Sequence, residues 1–260
     1  MERDELIEKA RAKVKEAYLQ KDRQLIQCVN AINELNKTAN LLFERLQEWY
    51  GIYFPELKVS EQDKYCRLVI AVDRKEIDKG NIGSIVGEEK ANEISEKAKR
   101  SIGVDLEEKD LEELRKLANE ILNLYSVRES MEKYQNSIAK EICPNVTHII
   151  EPALAAKLIA QAGGLERLAL MPASTIQVLG AEKALFKHLR KHTKSPKHGV
   201  IFQHPYINTS PKKLRGRIAR VLSTKIAIAL KGDFYSKNFI AGKLKEDFER
   251  RVKEIRETSK

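Results

Sequence analysis

Between Met171 and Arg220 the chain concentrates the residue types that grip phosphate. Lys183, Lys187, Arg190, Lys191, Lys194 and Lys197 follow one another, then Lys212, Lys213, Arg215, Arg217 and Arg220. Small residues, Gly180, Ala181 and Ala184, interrupt the start of this run, which otherwise favours helix. Small residues let a backbone approach a partner closely, and the neighbouring cations suit phosphate. The combination fits folded nucleic acid, where shape and backbone charge are read together. It also fits the solvated basic face of an ordinary helical domain, since charge runs usually face water.

Other chemistries are weaker. His188 and His192 stand four apart and could share a metal on one helix face. There is no HExxH and no nearby third ligand, and lysines surround both, so a surface pair is the better reading. GDFYSKNFIAGKL contains Gly-Lys without the P-loop spacing, and neither GxGxxG nor GxSxG occurs. Cys28, Cys66 and Cys143 are odd in number and far apart, which argues against a disulfide framework or a CxxC metal site. Cys143, beside Pro144, lacks the histidine context of a nucleophile. No catalysis, metal or cofactor is expected.

Composition points the same way. The chain has 260 residues, enough for one or two domains with a real core, with 33% charged and 6% aromatic residues. Few glycines and prolines favour a helix-rich fold. A net charge of +10 calls for an acidic partner, nucleic acid before an anionic membrane. No stretch approaches the ~20 apolar residues of a membrane span. The polar start MERDELIEKARAKVKEA does not read as a signal peptide, so an intracellular protein is expected.

The elements that must carry the basic run are helical. Residues 2–22 favour helix but lack an apolar stripe. Cys28, Ile32, Leu35, Ala39, Leu42, Leu46 and Trp49 then alternate by four and three, the seam of a coiled coil. Leu25, Ile26, Val29 and Leu41 widen that stripe, so the helix should meet more than one neighbour. Gly51 and Pro55 end it. Shorter pieces follow over 56–103, and KYCRLVIAV, which could pass for a strand, is read as a short helix. A second long helix starts near Asp105 or Leu106, with Leu111, Leu114, Ala118, Ile121 and Tyr125 as its stripe. The two long helices can fold back as an antiparallel hairpin with the insert, about 51–105, at its tip. Such a hairpin leaves apolar surface for a second copy to cover.

Pro144 stops the second helix, and a boundary near residue 140 separates this coiled-coil domain (1–140) from a C-terminal domain (141–260). There, a small-residue helix through Ala153–Ala162 ends at Gly163 and Gly164. A helix over 174–192 starts at Ser174 or Thr175 and contains Gly180 as a bend or close approach. GVIFQHP is a buried extended piece or turn. Ser210 caps a helix that opens on Pro211 and reaches Lys231, with Leu214, Ile218, Val221, Leu222, Ile226 and Ile228 inward. A final helix from about Lys243 turns Leu244, Phe248, Val252 and Ile255 inward.

These residues carry a resemblance. EICPNVTHIIEPALAAKLIAQAGGLERLALMPASTIQVLGAEKALFKHLRKHTKSPKHGVIFQHPYI, followed by PKKLRGRIARVLSTKIAIAL, closely resembles the Nop domain. The chain is similar to the archaeal Nop-domain scaffold proteins of box C/D small ribonucleoproteins from about residue 10 to 250. The resemblance implies an all-α fold: a long antiparallel coiled-coil domain with a helical tip insert, followed by a globular helical Nop domain. It implies a non-catalytic scaffold that self-associates as a homodimer. It implies binding to a kink-turn guide RNA together with the small ribosomal-type protein that holds the kink-turn. In such scaffolds an N-terminal domain docks fibrillarin, the 2′-O-methylating enzyme, for rRNA or tRNA targets. Here the coiled coil starts almost at once, so a form truncated before it, or else a natural short form, is expected, working in the cytoplasm of an archaeal cell.

By motif, Gly180, Ala181, Glu182 and Lys183 stand where the family touches the RNA–protein composite. Ala184, Leu185, Phe186 and Lys187 stand at the family's ALFR element, with lysine in place of arginine, which keeps the charge but loses the planar fork. Gln177, Lys212, Lys213, Arg215 and Arg217 complete the expected RNA-binding set. Ile32, Leu35, Leu42, Leu46, Leu114 and Ile121 are the expected dimerisation residues. The alternative is a structural coiled-coil oligomer with a generic basic face.

Overall fold

The structure, a computed structural model, describes residues 5–9, 11, 20–191 and 193–258. Among them there is no strand, and the fold is all-α. The lead-in helix expected over 2–22 falls largely outside the described residues, as does His192. Residues 5–9 and 11 are helical, and Gln20 is not. From Lys21 onward the described residues form α1 (Lys21–Tyr53), α2 (Gln62–Ala71), α3 (Lys79–Val86), α4 (Glu88–Lys99), α5 (Glu108–Ile142), α6 (Pro144–Ile149), α7 (Pro152–Ala162), α8 (Leu165–Leu170), α9 (Ala173–Val178), α10 (Glu182–Lys191), α11 (Pro205–Asn208), α12 (Lys212–Lys231) and α13 (Ala241–Glu257). A 3-10 turn (Val200–Gln203) precedes α11, and a π-helical turn (Gly232–Ser236) follows α12. The chain divides into two compact units: Met1–Ala31 with Glu132–Lys260, and Ile32–Met131.

In the Ile32–Met131 unit, α1 and α5 are antiparallel. Arg128 donates to Asn36 at 3.1 Å, and the Arg115 charge reaches Tyr50. Burial along α1 follows Ile32, Ala39, Phe43, Leu46, Tyr50 and Tyr53, with Asn36 at the one polar step. That is a four–three alternation with a different membership from the expected seam. Trp49 and Leu41 face out, Leu35 and Leu42 are half-buried, and the aromatics take the inner positions. The reason is what α1 packs against. Tyr65 of α2 receives Phe43 and Tyr50 edge-on, at 5.4 and 6.3 Å between ring centroids, and only broad rings fill that gap. Four of the six expected dimerisation residues, Ile32, Leu46, Leu114 and Ile121, are thereby buried within one chain.

KYCRLVIAV is helical, as expected, over all but its last residue; its Tyr65, Cys66, Leu68 and Val69 are buried. The start of α5 is tied down by Arg74. Its guanidinium donates to Ser101 Oγ and Gly103 O, both at 3.0 Å, and to Asp105 Oδ1 at 2.6 Å, while lying 4.3 Å from the Tyr53 ring centroid.

The other unit is built around α12, which packs on α6, α8, α9, α11 and α13. Leu214, Ile218, Leu222 and Ile226 point inward as expected, whereas Ile228 is exposed and Ala229 and Leu230 are buried in its place. The inward stripe rotates with the 3.6-residue period, which carries Ile228 off it. Helix α7 ends as expected at Gly163 (φ 81°), whose N–H and that of Gly164 both reach Ile159 O. The expected N-caps differ. Pro172 and Pro211 precede α9 and α12, and Ser210 instead donates its hydroxyl to Tyr206 O. GVIFQHP forms the 3-10 turn, and its Pro205 opens α11 rather than ending a strand-like piece. The last helix has the expected stripe of Leu244, Phe248 and Val252 buried, with Ile255 half-buried.

Candidate nucleic-acid interface

The expected single helix over 174–192 is two. Helix α9 ends at Val178, the chain turns at Gly180 (φ 84°), and α10 starts at Glu182. An L-residue is strained at that φ, and a Cβ on Gly180 would overlap Val200 Cγ2. So Gly180 supplies both the bend and the close approach. Glu182 closes the turn by accepting from Gly180 N at 2.6 Å, which gives it a local partner.

The loop after α10 returns to α9. Gly199 N donates to Gln177 O and Val200 N to Leu179 O, both at 2.8 Å. Gly199 lies so near Leu179 O that any Cβ would collide with it. Gln177 Nε2 donates to Lys197 O at 2.7 Å, so this side chain anchors the loop. Against α12, Gly216 leaves room for the Lys197 side chain, 3.2 Å from where its Cβ would be.

Together these segments make a groove lined by Gln177, Lys194, Ser195, Pro196, Lys197, Lys213, Gly216, Arg217 and Arg220. Five of the nine residues are cationic and none is acidic. Of the expected set, the structure brings together Gln177, Lys213 and Arg217. Lys194, Lys197 and Arg220 join them from the same basic run; the expected set omits them, because only the turn back at Gly199 places them. Lys212 is exposed and does not line the groove.

Arg215, also in the expected RNA-binding set, does not line the groove. Its Nε donates to Ser210 O at 2.9 Å and its Nη2 to Asn208 O at 3.1 Å, and its guanidinium lies 5.2 Å from the Phe202 ring centroid. His198 stacks on Phe202 at 4.5 Å and 16°. Burial, then the nearby Arg215 charge, pushes the His198 pKa below its usual value. Arg215 thus spends its fork on backbone carbonyls and holds α11 against α12.

Helix α10 stands apart, with no buried residue. Ala181 and Leu185 are half-buried; Glu182, Lys183, Ala184, Phe186 and Lys187 are exposed. Phe186 is 60% and Leu189 63% exposed. An apolar pair so open, flanked by Lys183, Lys187, Arg190 and Lys191, has the shape of a contact face. His188 is tied through its ring to Thr193 O.

None of the three cysteines is in a disulfide, all are buried, and burial raises their thiol pKa values, Cys66 to about 12. None has the thiolate character of a nucleophile.

The profile of the Nop family, described as "snoRNA binding domain, fibrillarin", matches residues 31–254. The chain belongs to the Nop family. A NOP5 family protein of Methanocaldococcus jannaschii, itself uncharacterized, is 47% identical over 246 residues, covering 94% of this chain and 59% of that protein. Nucleolar protein 56 of Bos taurus is 35% identical over 253 residues, 94% of this chain and 42% of that protein. Among solved structures, a fibrillarin/Nop5p complex matches with a TM-score of 0.58 and 27% identity, covering 93% of this chain and 72% of that one. This Nop chain therefore spans between two fifths and three fifths of the lengths of these two relatives.

Proposed function

We propose that this chain is a non-catalytic scaffold of a box C/D small ribonucleoprotein. The observation that carries the proposal is the acid-free groove at Gln177, Lys197, Lys213, Arg217 and Arg220 in a chain of the Nop family. Phosphates of a kink-turn guide RNA would lie in the groove, since clustered Lys and Arg bind backbone charge by displacing counterions. The exposed face of α10, with Phe186 and Leu189 apolar and Lys183 and Lys187 basic, would meet the kink-turn-binding protein and the adjoining RNA. Self-association through a coiled coil of α1 and α5 would draw on positions that one chain leaves open, such as Leu41 and Val127. Fibrillarin would be carried by the part of the longer relatives that lies outside the match.

The test is a gel shift with a box C/D guide RNA, with and without the kink-turn-binding protein, at two salt concentrations. Tight binding only with that protein present supports composite recognition. Equal, weak and strongly salt-dependent binding in both cases leaves a generic basic face and removes α10 from the site.

A further inference from the structure

The segment Lys231–Lys245, which joins α12 to α13 through the π-helical turn, plays no part in the groove and is pinned from within. Its anchor is a buried polar node. Asp233, 2% exposed, accepts from Asn145 N at 2.9 Å, from Asn145 Nδ2 at 2.8 Å and from Val146 N at 3.0 Å. Asn145 is also buried. Its Nδ2 donates to Asn238 O at 2.9 Å, and its Oδ1 accepts from Ile240 N at 2.7 Å. Between these pins, Lys237 takes the left-handed conformation (φ 57°) and its N–H donates to Gly232 O at 2.7 Å. A lysine there is strained, and the node holds it.

What this framework presents to solvent is aromatic and cationic. Tyr235 is 57% and Phe239 63% exposed, and the exposed His148 ring meets Phe239 edge-on at 5.4 Å. Along the sequence Lys231, Lys237, Lys243 and Lys245 interleave with these rings, Lys237 Nζ donating to Asp233 O at 2.7 Å, and Asp233, the one carboxylate in the segment, is buried. Lys245 and His148 also line a groove that Glu151 and Glu249 share. Fixed, open rings among lysines are what unpaired nucleotides need. Bases stack on ring faces whatever their identity, and ammonium groups follow the backbone.

The geometry points to a second RNA surface, at Tyr235 and Phe239, that takes single-stranded nucleotides by stacking. It rests on the RNA-binding reading above but uses different residues, so the two can fail separately.

The experiment is fluorescence anisotropy of a labelled 12-nucleotide oligoadenylate RNA with the full chain. Beside wild type stand Tyr235→Ala/Phe239→Ala, the ring-preserving Tyr235→Phe/Phe239→Trp, and the groove variant Arg217→Ala/Arg220→Ala. Each ring removed should weaken binding about fivefold or more, with the ring-preserving variant near wild type. Circular dichroism checks that all remain folded; both rings are exposed, so their loss should leave the core intact. Wild-type binding that survives the double alanine variant overturns the inference. So does absence of oligoadenylate binding by wild type, even where guide-RNA binding through the groove persists. Loss of oligoadenylate binding in the groove variant alone assigns the strand to the groove and also overturns it. Equal loss in the alanine and ring-preserving variants would make the effect structural and equally sink it. A surface made for a protein instead would show as unchanged RNA binding in every variant, which overturns it too.

Discussion

Helices α10 and α12 both carry the basic run, yet they hold their cations in opposite ways. Helix α12 buries eight residues along one side, so each cation on it has a direction set by the core. Helix α10 buries none and is placed by its ends: the Gly180 turn before it and the loop pinned at Gly199 after it. A basic run is therefore two devices. One is a rigid row on a core helix; the other is a short amphipathic helix offered to a partner.

Core truncation gives the largest difference. Leu222→Ala in α12, at a fully buried position, should cost about 2–5 kcal/mol. Leu189→Ala in α10 should stay within about 0.5 kcal/mol, as exposed substitutions do. Urea unfolding measures both, and similar losses would break the contrast. Next in size are the pins. Gly199→Ala forces a Cβ into Leu179 O, and Gly180→Ala adds left-handed strain to overlap with Val200. Each should cost about 1–3 kcal/mol in thermal unfolding and weaken assembly on RNA.

The cations of α12 sharpen the comparison further. Arg215→Ala should lose about 1–2 kcal/mol of stability, because three groups around it lose their partner, while the salt dependence of RNA binding stays as it was. Arg217→Ala/Arg220→Ala should do the reverse: unchanged unfolding, and a log–log salt slope shallower by roughly 1 for each phosphate no longer neutralised. An Arg215→Ala effect confined to the salt slope would return that residue to the interface.

The smallest effect is a titration. His204 is buried, its Nδ1 accepts from Tyr206 N at 3.3 Å, and burial lowers its pKa. A lowered folded-state value means the unfolded chain takes up the proton first. Its stabilising contribution is present above the unfolded value, about 6.5, and is lost as pH falls from there through the folded value. Wild type should therefore lose stability faster than His204→Asn between pH 7 and 5 in parallel unfolding curves.

Much of the scaffold was legible because helices announce themselves by apolar spacing. The stripes of α5, α7, α12 and α13, the stop at Pro144 and the close approach at Gly180 all follow from local sequence. What was not legible depends on distant residues. Tyr50 and Tyr53 replace Trp49 inside because Tyr65 and Arg74 wait there. Arg215 looks like its neighbours Lys213 and Arg217 until Asn208 and Ser210 turn their carbonyls toward it. Lys194 and Lys197 become part of a groove only once Gly199 folds the loop back. The Asn145–Asp233 node joins residues 88 positions apart and left no local signal.

The absence of any buried side chain on α10 also sets how the molecule ages in a mixture of proteases. A helix with no core anchor opens at low free-energy cost, and its Lys183, Lys187, Arg190 and Lys191 are all trypsin sites. Within the unit that holds α12, an early cut should fall there, before that core unfolds, and a bound partner would slow it by holding the helix closed.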